Sequence, residues 1–413
     1  VCSLFLVQLL TEFDPSYTLS KNPTFVGFLY TFLAIPSSQR KLDMNLPLSD
    51  VNMSSQQKFK LFADPEDEQR NHRIRKGILE AGNQLRAQHP WLVKYQDQIG
   101  MGILITSVTG IIFNITQYAR GKMPWYVAVS LSAFWMSILH ELEHDLIHQM
   151  YYRKNKKINN AMLATVYAFR PSTISPWIRR DIHLHHHKSS GTPSDIEERG
   201  INNGDKWGLK RLIMTGDNML AIALRPFTML NATNEYANAQ KDLALKDKLK
   251  LKAKMALGYT PFGNIHYGLW YSFLFMSITK IGMKALNMKQ PTNRIWRFID
   301  KSTKFYAVAI AAPNYLRTLS LHFTSSNIHY YGDVENGNVV QQCQIWTDWR
   351  MKPLQAFCFN FGGTHAIHHF VVRDTFYIRQ AIAKDCYPIM KENGVRFNDF
   401  GTFKRANRRL ERA

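Results

Sequence analysis

The sequence predicts an all-α, multi-pass membrane protein, with about four transmembrane helices in two hairpins and a histidine-lined site on the cytosolic face. Three observations predict it. Apolar runs come in pairs, 99–118 with 124–139 and 261–283 with 305–321. Lys and Arg outnumber Asp and Glu by 52 to 31, a net charge of +21, and the surplus lies in blocks between those runs. Ten of the 15 histidines fall in three tight clusters. The mean hydropathy of −0.27 averages over this segregation and hides it.

The first 35 or so residues are apolar and aromatic, without a basic segment followed by a small-residue cleavage site; residues 1–50 read either as the start of a fragment or as an N-terminal extension with a natural start near Met44. Residues 51–98 form a cytosolic N-terminal region. Within it, 70–86 is a mixed-charge helix with Ile74, Ile78 and Leu79 as its apolar stripe, expected to be solvated. The run 99–118 has about 20 residues without a charged side chain, the length a bilayer core requires. A short turn at 120–124 leads into the returning run 124–139. Both flanks of this hairpin are strongly charged, which places them in the cytosol.

Residues 158–169 are apolar but too short to span, and 171–205 is rich in histidine and turn residues. The moderately apolar stretch 209–230 is interrupted by Asp217, Arg225 and Pro226, and 241–254 reads as a basic amphipathic helix at the headgroup surface. The linker of the second hairpin carries Lys284, Lys289, Arg294, Arg297 and Lys301, against the positive-inside bias. The second hairpin returns the later histidines to the side of the first. The domain reading is thus a membrane catalytic region at 99–378 followed by a cytosolic basic tail at 379–413.

Composition narrows the function. A basic surplus suits nucleic acid or loops facing anionic lipid. No zinc-finger, RRM or helix-turn-helix pattern is present, so a nucleic-acid partner is not expected. Cys2, Cys343, Cys358 and Cys386 show no CxxC spacing, which argues against an iron–sulfur cluster, a zinc ribbon or a disulfide framework.

The first cluster, His140, His144 and His148, is a row on one helix face. Taken alone, His140, Glu141 and His144 also fit the zinc-hydrolase signature, with Glu141 as general base. The second cluster runs from His183 through His185 and His186 to His187. The third, His365, His368 and His369, repeats its H-x-x-H-H pattern, and His322 and His329 follow the fourth apolar run. Neutral imidazole is the commonest metal ligand. A single metal with about four to six positions leaves several of these residues redundant, whereas two metals would use them. Histidines lining a transport route belong at mid-span, and these follow the ends of apolar runs or sit in polar segments.

The order H-x3-H, H-x-x-H-H, a single later His and H-x-x-H-H resembles the integral-membrane fatty acid desaturase and hydroxylase superfamily, over about residues 99–378. The resemblance implies two iron ions held by His140, His144, His183, His186, His187, His329, His365, His368 and His369, with O2 as co-substrate. It implies oxidation of unactivated C–H bonds of a lipid. Removal of a second hydrogen gives a double bond, and transfer of oxygen gives an alcohol. A fatty acyl desaturase is the leading reading and a fatty acid or alkane hydroxylase the alternative; a zinc membrane protease ranks third.

Two features pull towards hydroxylation. His140 and His144 have three residues between them, where acyl-CoA desaturases usually have four, so the first box looks more like that of alkane monooxygenases. The stretch from His186 to Asp195, and Asn327 with His329, Tyr330, Tyr331 and Gly332, are similar to motifs of those enzymes. His183, His186 and His187 keep the desaturase spacing. Glu141, Asp195 and Asn327 are expected to orient ligand imidazoles, as are His148 and His185; His322 is the rival to His329. No nucleotide-binding fingerprint, cysteine ligand set or fused haem domain is present, so a separate electron donor (ferredoxin, rubredoxin or cytochrome) is implied, steered by the basic cytosolic face.

Overall fold

The computed structural model describes residues 65–410. The N-terminal extension, its expected start at Met44, and Cys2 lie outside the described residues. Helices dominate, and backbone bridges outside them join only His329 to Cys343 and Ile345 to Phe397 among the described residues.

Helix α1 (Pro65–Gln88) has Pro at its start, Glu66, Asp67 and Glu68 in the first turn and Arg86 in the last, a distribution that complements the helix dipole. It is not solvated all round as expected. Ile74 and Ile78, one turn apart, are fully buried in a core shared with Ile378, Ile382 and Met390, and Arg86 pairs with Asp374. A short apolar stripe was enough to dock the helix.

Helices α2 (Gln96–Ala119) and α3 (Trp125–Ile147) form the first hairpin. Gly110 makes the close approach possible, because a Cβ there would stand 2.4 Å from Trp135 Nε1. Helix α2 is the one described helix long and apolar enough to cross a membrane, with mean hydropathy 1.8. It shows Ile105, Ile112 and Phe113 to the outside. Helix α3 runs two turns beyond the predicted 139, and Glu141, Glu143 and Asp145 in those turns are buried in protein.

Helix α4 (Lys156–Phe169) is capped by Asn155, whose side chain accepts from Ile158 N–H. The segment expected to be turns then contains α5 (Pro176–Ser189), with Pro176 in its first turn, and α6 (Ile196–Gly200), capped by Asp195. The stretch 209–230 breaks near the anticipated residues into α7 (Leu209–Thr215), α8 (Asn218–Ala223) and α9 (Pro226–Ala239). Helix α10 (Leu245–Ala256) buries no residue, as suits a basic surface helix.

The second apolar pair differs from expectation. Helix α11 (Phe262–Ala285) forms, but the basic linker becomes α12 (Arg294–Tyr306), an amphipathic helix exposing Ile295 and Phe298. Lys280 of α11 pairs with Asp300 of α12 at 2.7 Å. After a π-helical segment (Ala307–Ala311) the chain continues as α13 (Ala312–Ile328), whose interior holds the buried polar residues Asn314, Arg317, Thr318 and Ser320. Helices α14 (Phe361–Phe370) and α15 (Phe376–Glu392) complete the fold, with α14 almost wholly buried.

Candidate metal centre

Four helices bring the histidines together. Helix α3 supplies His140 and His144 and ends on His148; α5 supplies His183, His186 and His187; α13 ends on His329; α14 supplies His365, His368 and His369. They sort into two groups. His144, His148, His183, His187 and His368 form the first, and His186, His329, His365 and His369 the second; within each, the ligand nitrogens all lie within 4.8 Å of one another.

Helix geometry explains the sorting. Positions i and i+4 flank one side of a helix face, and i+3 falls about 100° away from i+4. In the second box His183 and His187 therefore point into the first group and His186 into the second. The third box does the reverse, sending His365 and His369 to the second group and His368 to the first. Each H-x-x-H-H gives two nitrogens to one group and one to the other.

The nitrogens face inward at short range. His187 Nε2 is 3.0 Å from His368 Nε2 and 3.1 Å from His183 Nε2. In the second group His369 Nε2 is 3.1 Å from His365, 3.3 Å from His329 and 3.4 Å from His186. Carboxylates and carbonyls hold the outer nitrogens: His183 Nδ1 donates to Glu197 at 2.7 Å, His186 Nδ1 to Asp195 at 2.9 Å, His329 Nδ1 to the Ser325 carbonyl at 2.9 Å and His369 Nδ1 to Gln342 Oε1 at 2.9 Å. A neutral ring that donates from Nδ1 presents a lone pair at Nε2. In the second group His329 and His369 present such lone pairs at the point where His186 Nε2 also arrives, an arrangement suited to a cation between them. In the first, both nitrogens of His144 are buried without a partner. The donor set fits two metal ions.

His368 differs, because its Nδ1 faces Arg379 Nη1 at 2.7 Å. A guanidinium only donates, so in this arrangement the neutral ring carries its proton on Nε2. Burial keeps His187, His365, His368 and His369 neutral to well below the ordinary imidazole range. Burial also opposes charge on His186, but Asp195 lifts that group to about 9. Glu197 is buried, yet His183 and Arg179 hold its carboxyl well below the usual carboxylate range.

The expected ligand His140 lies in neither group. It sits one turn deeper on α3, with Nδ1 3.0 Å from Arg170 Nη2, Nε2 without a partner and its ring against Phe361. His148, expected to stand behind the ligands, takes the place because α3 carries it to the mouth of the second box. A zinc site made from His140, His144 and Glu141 is therefore not formed. Glu141 instead meets Arg379 at 3.4 Å, which itself contacts His368.

Asp195 is held in place for its contact with His186. It accepts from Gly191 N–H at 3.1 Å, and Gly191, at φ +81°, packs so closely that a Cβ would stand 2.8 Å from the Tyr330 carbonyl. Asn327 touches no imidazole; it accepts from Trp207 Nε1 at 2.9 Å and from Asn407 at 3.2 Å, tying the C-terminal segment to α13. His185 turns outward to Ser194 and Gln240. Sequence reasoning missed Glu197, Glu198 and Gln342. The first two had a signal, lying just after Asp195 in the first turn of a short helix that faces α5.

A cavity of about 710 Å³ opens beside the histidines. His144, His183, His186, His329 and His365 line one part, and Ile182, Ile196, Met219, Ile222, Met229 and Leu230 line the rest. Arg170, Arg179, Arg317 and His322 also reach it.

This combination defines a helical protein with two histidine groups that could hold metal ions and an apolar chamber beside them. The family model described as fatty acid desaturase matches residues 122–401, well over half of the chain, and the chain belongs to that family. It is therefore an oxidoreductase of the lipid desaturase and hydroxylase type. No curated protein and no solved structure matches it significantly.

Proposed function

We propose that the protein is a membrane-bound, O2-dependent di-iron oxidoreductase that desaturates a fatty acyl chain. The observation that carries this reading is the pair of imidazole groups at the wall of an apolar cavity. His144, His148, His183, His187 and His368 hold one iron, and His186, His329, His365 and His369 the other. Two irons bound there would supply O2 activation and hydrogen abstraction from an unactivated methylene.

The chain does the rest. Ile182, Ile196, Met219, Ile222 and Met229 exclude water and give an acyl chain an apolar path, so that one methylene is held beside the metals. Glu197, Asp195 and Gln342 fix the orientation of the ligand rings. The protein crosses the bilayer several times, with α2, α3, α11 and α13 as the spanning elements and the metal centre facing the cytosol. A separate carrier delivers electrons, and the lysine-rich surface helix α10 (Lys246, Lys248, Lys250, Lys252 and Lys254) offers basic charge to an acidic one.

Hydroxylation is the second reading, favoured by the three-residue gap of the first box, which His144 and His148 also have, and by the Asn327 to Gly332 motif. Expression in a host of known lipid profile, with fatty acids analysed by mass spectrometry, separates the two. New double bonds support desaturation and new hydroxyl groups support hydroxylation. If neither appears with O2 and a competent donor supplied, the fatty acyl substrate is wrong.

A further inference from the structure

Arg317 lies in the middle of α13 and is 0 % exposed. Its Nη2 donates to Thr318 Oγ1 at 2.6 Å, while Nε and Nη1 have no partner. It also lines the cavity beside the histidines. Burying a guanidinium costs a large desolvation energy unless an anion compensates it, and no carboxylate among the described residues pairs with this one. Glu143 is already taken by Arg170 and by Arg179, the latter at 2.6 Å, and Glu197 is shared between Arg179 and His183. Arg170, Glu143 and Arg179 all act on Arg317 through space; the two arginines add to the positive field, and Glu143, already paired with both of them, offsets part of it. His140 Nε2, also unpartnered, lines the same cavity.

We propose that Arg317 anchors a carboxylate of the substrate inside the protein, so that the enzyme acts on a lipid whose acid group enters the cavity. This deepens the lipid-oxidation reading and rests on it. The planar fork of arginine matches the two oxygens of a carboxylate. Because Arg317 is fully enclosed, the group it holds is compact and shed of water; a phospholipid headgroup or a carrier-bound thioester would stay at the mouth. Arg317 is 12 residues from His329 on one helical path, about 18 Å along the axis. A carboxylate held there fixes how far down the chain the oxidised methylene lies. Arg317 is thus a residue that sets specificity.

The test is equilibrium binding to the iron-loaded full chain in detergent, using the saturated acids from decanoate to octadecanoate and their methyl esters, with no turnover. The unaltered chain is expected to prefer the best acid over its ester about tenfold or more, the scale of hydrogen bonds to a charged group. Arg317→Gln is expected to erase the preference while leaving iron content and ester binding unchanged, and Arg317→Lys to keep part of it. Equal binding of acid and ester overturns the proposal and leaves the lipid reading standing. Binding of neither overturns both. Equal loss of acid and ester in Arg317→Gln also overturns it. Should that variant fail to load iron, the acid-to-ester ratio of the unaltered chain and of Arg317→Lys decides.

Discussion

His187 and His368 stand Nε2 to Nε2 at 3.0 Å although 181 residues separate them, and each comes from a box whose members are divided between the two groups. The crossing of the two boxes means that neither metal position can be built without both α5 and α14. His368→Ala is therefore expected to lose the metal of the first group and His369→Ala that of the second, each variant retaining about half the iron of the unaltered chain. Iron analysis of the purified variants checks this. Full iron in either variant would show that the third box is not ligating.

His148 and His140 offer a sharper contrast, because helix α3 presents both on one face while only His148 joins a group. His148→Ala is expected to lower iron content, and His140→Ala to keep both metals. The opposite pattern would return His140 to the ligand set.

The outer partners of the rings give a graded effect. Asp195→Asn and Gln342→Leu remove the acceptor, or its charge, behind His186 and His369. Each is expected to weaken metal retention by about 10- to 100-fold, read by competition with a chelator, with the helical circular dichroism unchanged.

Acid should destabilise the metal-free protein. His187, His365, His368 and His369 are neutral when folded because burial disfavours their charged form, whereas in the unfolded chain they take up protons below about 6.5. The unfolded state then binds more protons, so stability falls as the pH drops below that value. His186, lifted to about 9, works in the other direction: its contribution is complete below about 6.5 and is lost as the pH rises through about 9. Thermal melts of the metal-free protein against pH are expected to fall on the acid side, because the lowered imidazoles, His183 and His329 among them, outnumber the raised His186 and Glu198. A flat profile from neutral to acid pH would contradict this account.

Helix α1 docks through the fully buried Ile74 and Ile78, with Leu79, Ala81 and Leu85 packed beside them. Ile78→Ala is expected to cost about 2–4 kcal/mol, seen as a lower melting temperature with iron content unchanged.

Much of this was legible in the sequence. The three boxes announced the metal centre, since ten histidines do not cluster by chance, and the first hairpin followed from two uncharged runs separated by a turn. What escaped depended on tertiary geometry. Spacing alone could not tell His140 from His148, because both share a face with His144 and only the endpoint of α3 separates them. Gln342 ends a four-residue helical turn, Val339–Gln342, with no motif around it. The basic linker read only as the connection of the second hairpin, yet it forms α12, which the Lys280–Asp300 pair ties to α11. Arg317 was hidden inside an apolar run, where hydropathy averaged its charge away.

The most direct measurement of the central claim is the iron content of the full chain, loaded anaerobically with Fe(II) and freed of loosely held metal. With the imidazoles divided between two groups, about two irons per chain are expected, falling to about one in His368→Ala and in His369→Ala. One iron or fewer in the fully loaded unaltered chain, or a single zinc held in preference to iron, would contradict the account.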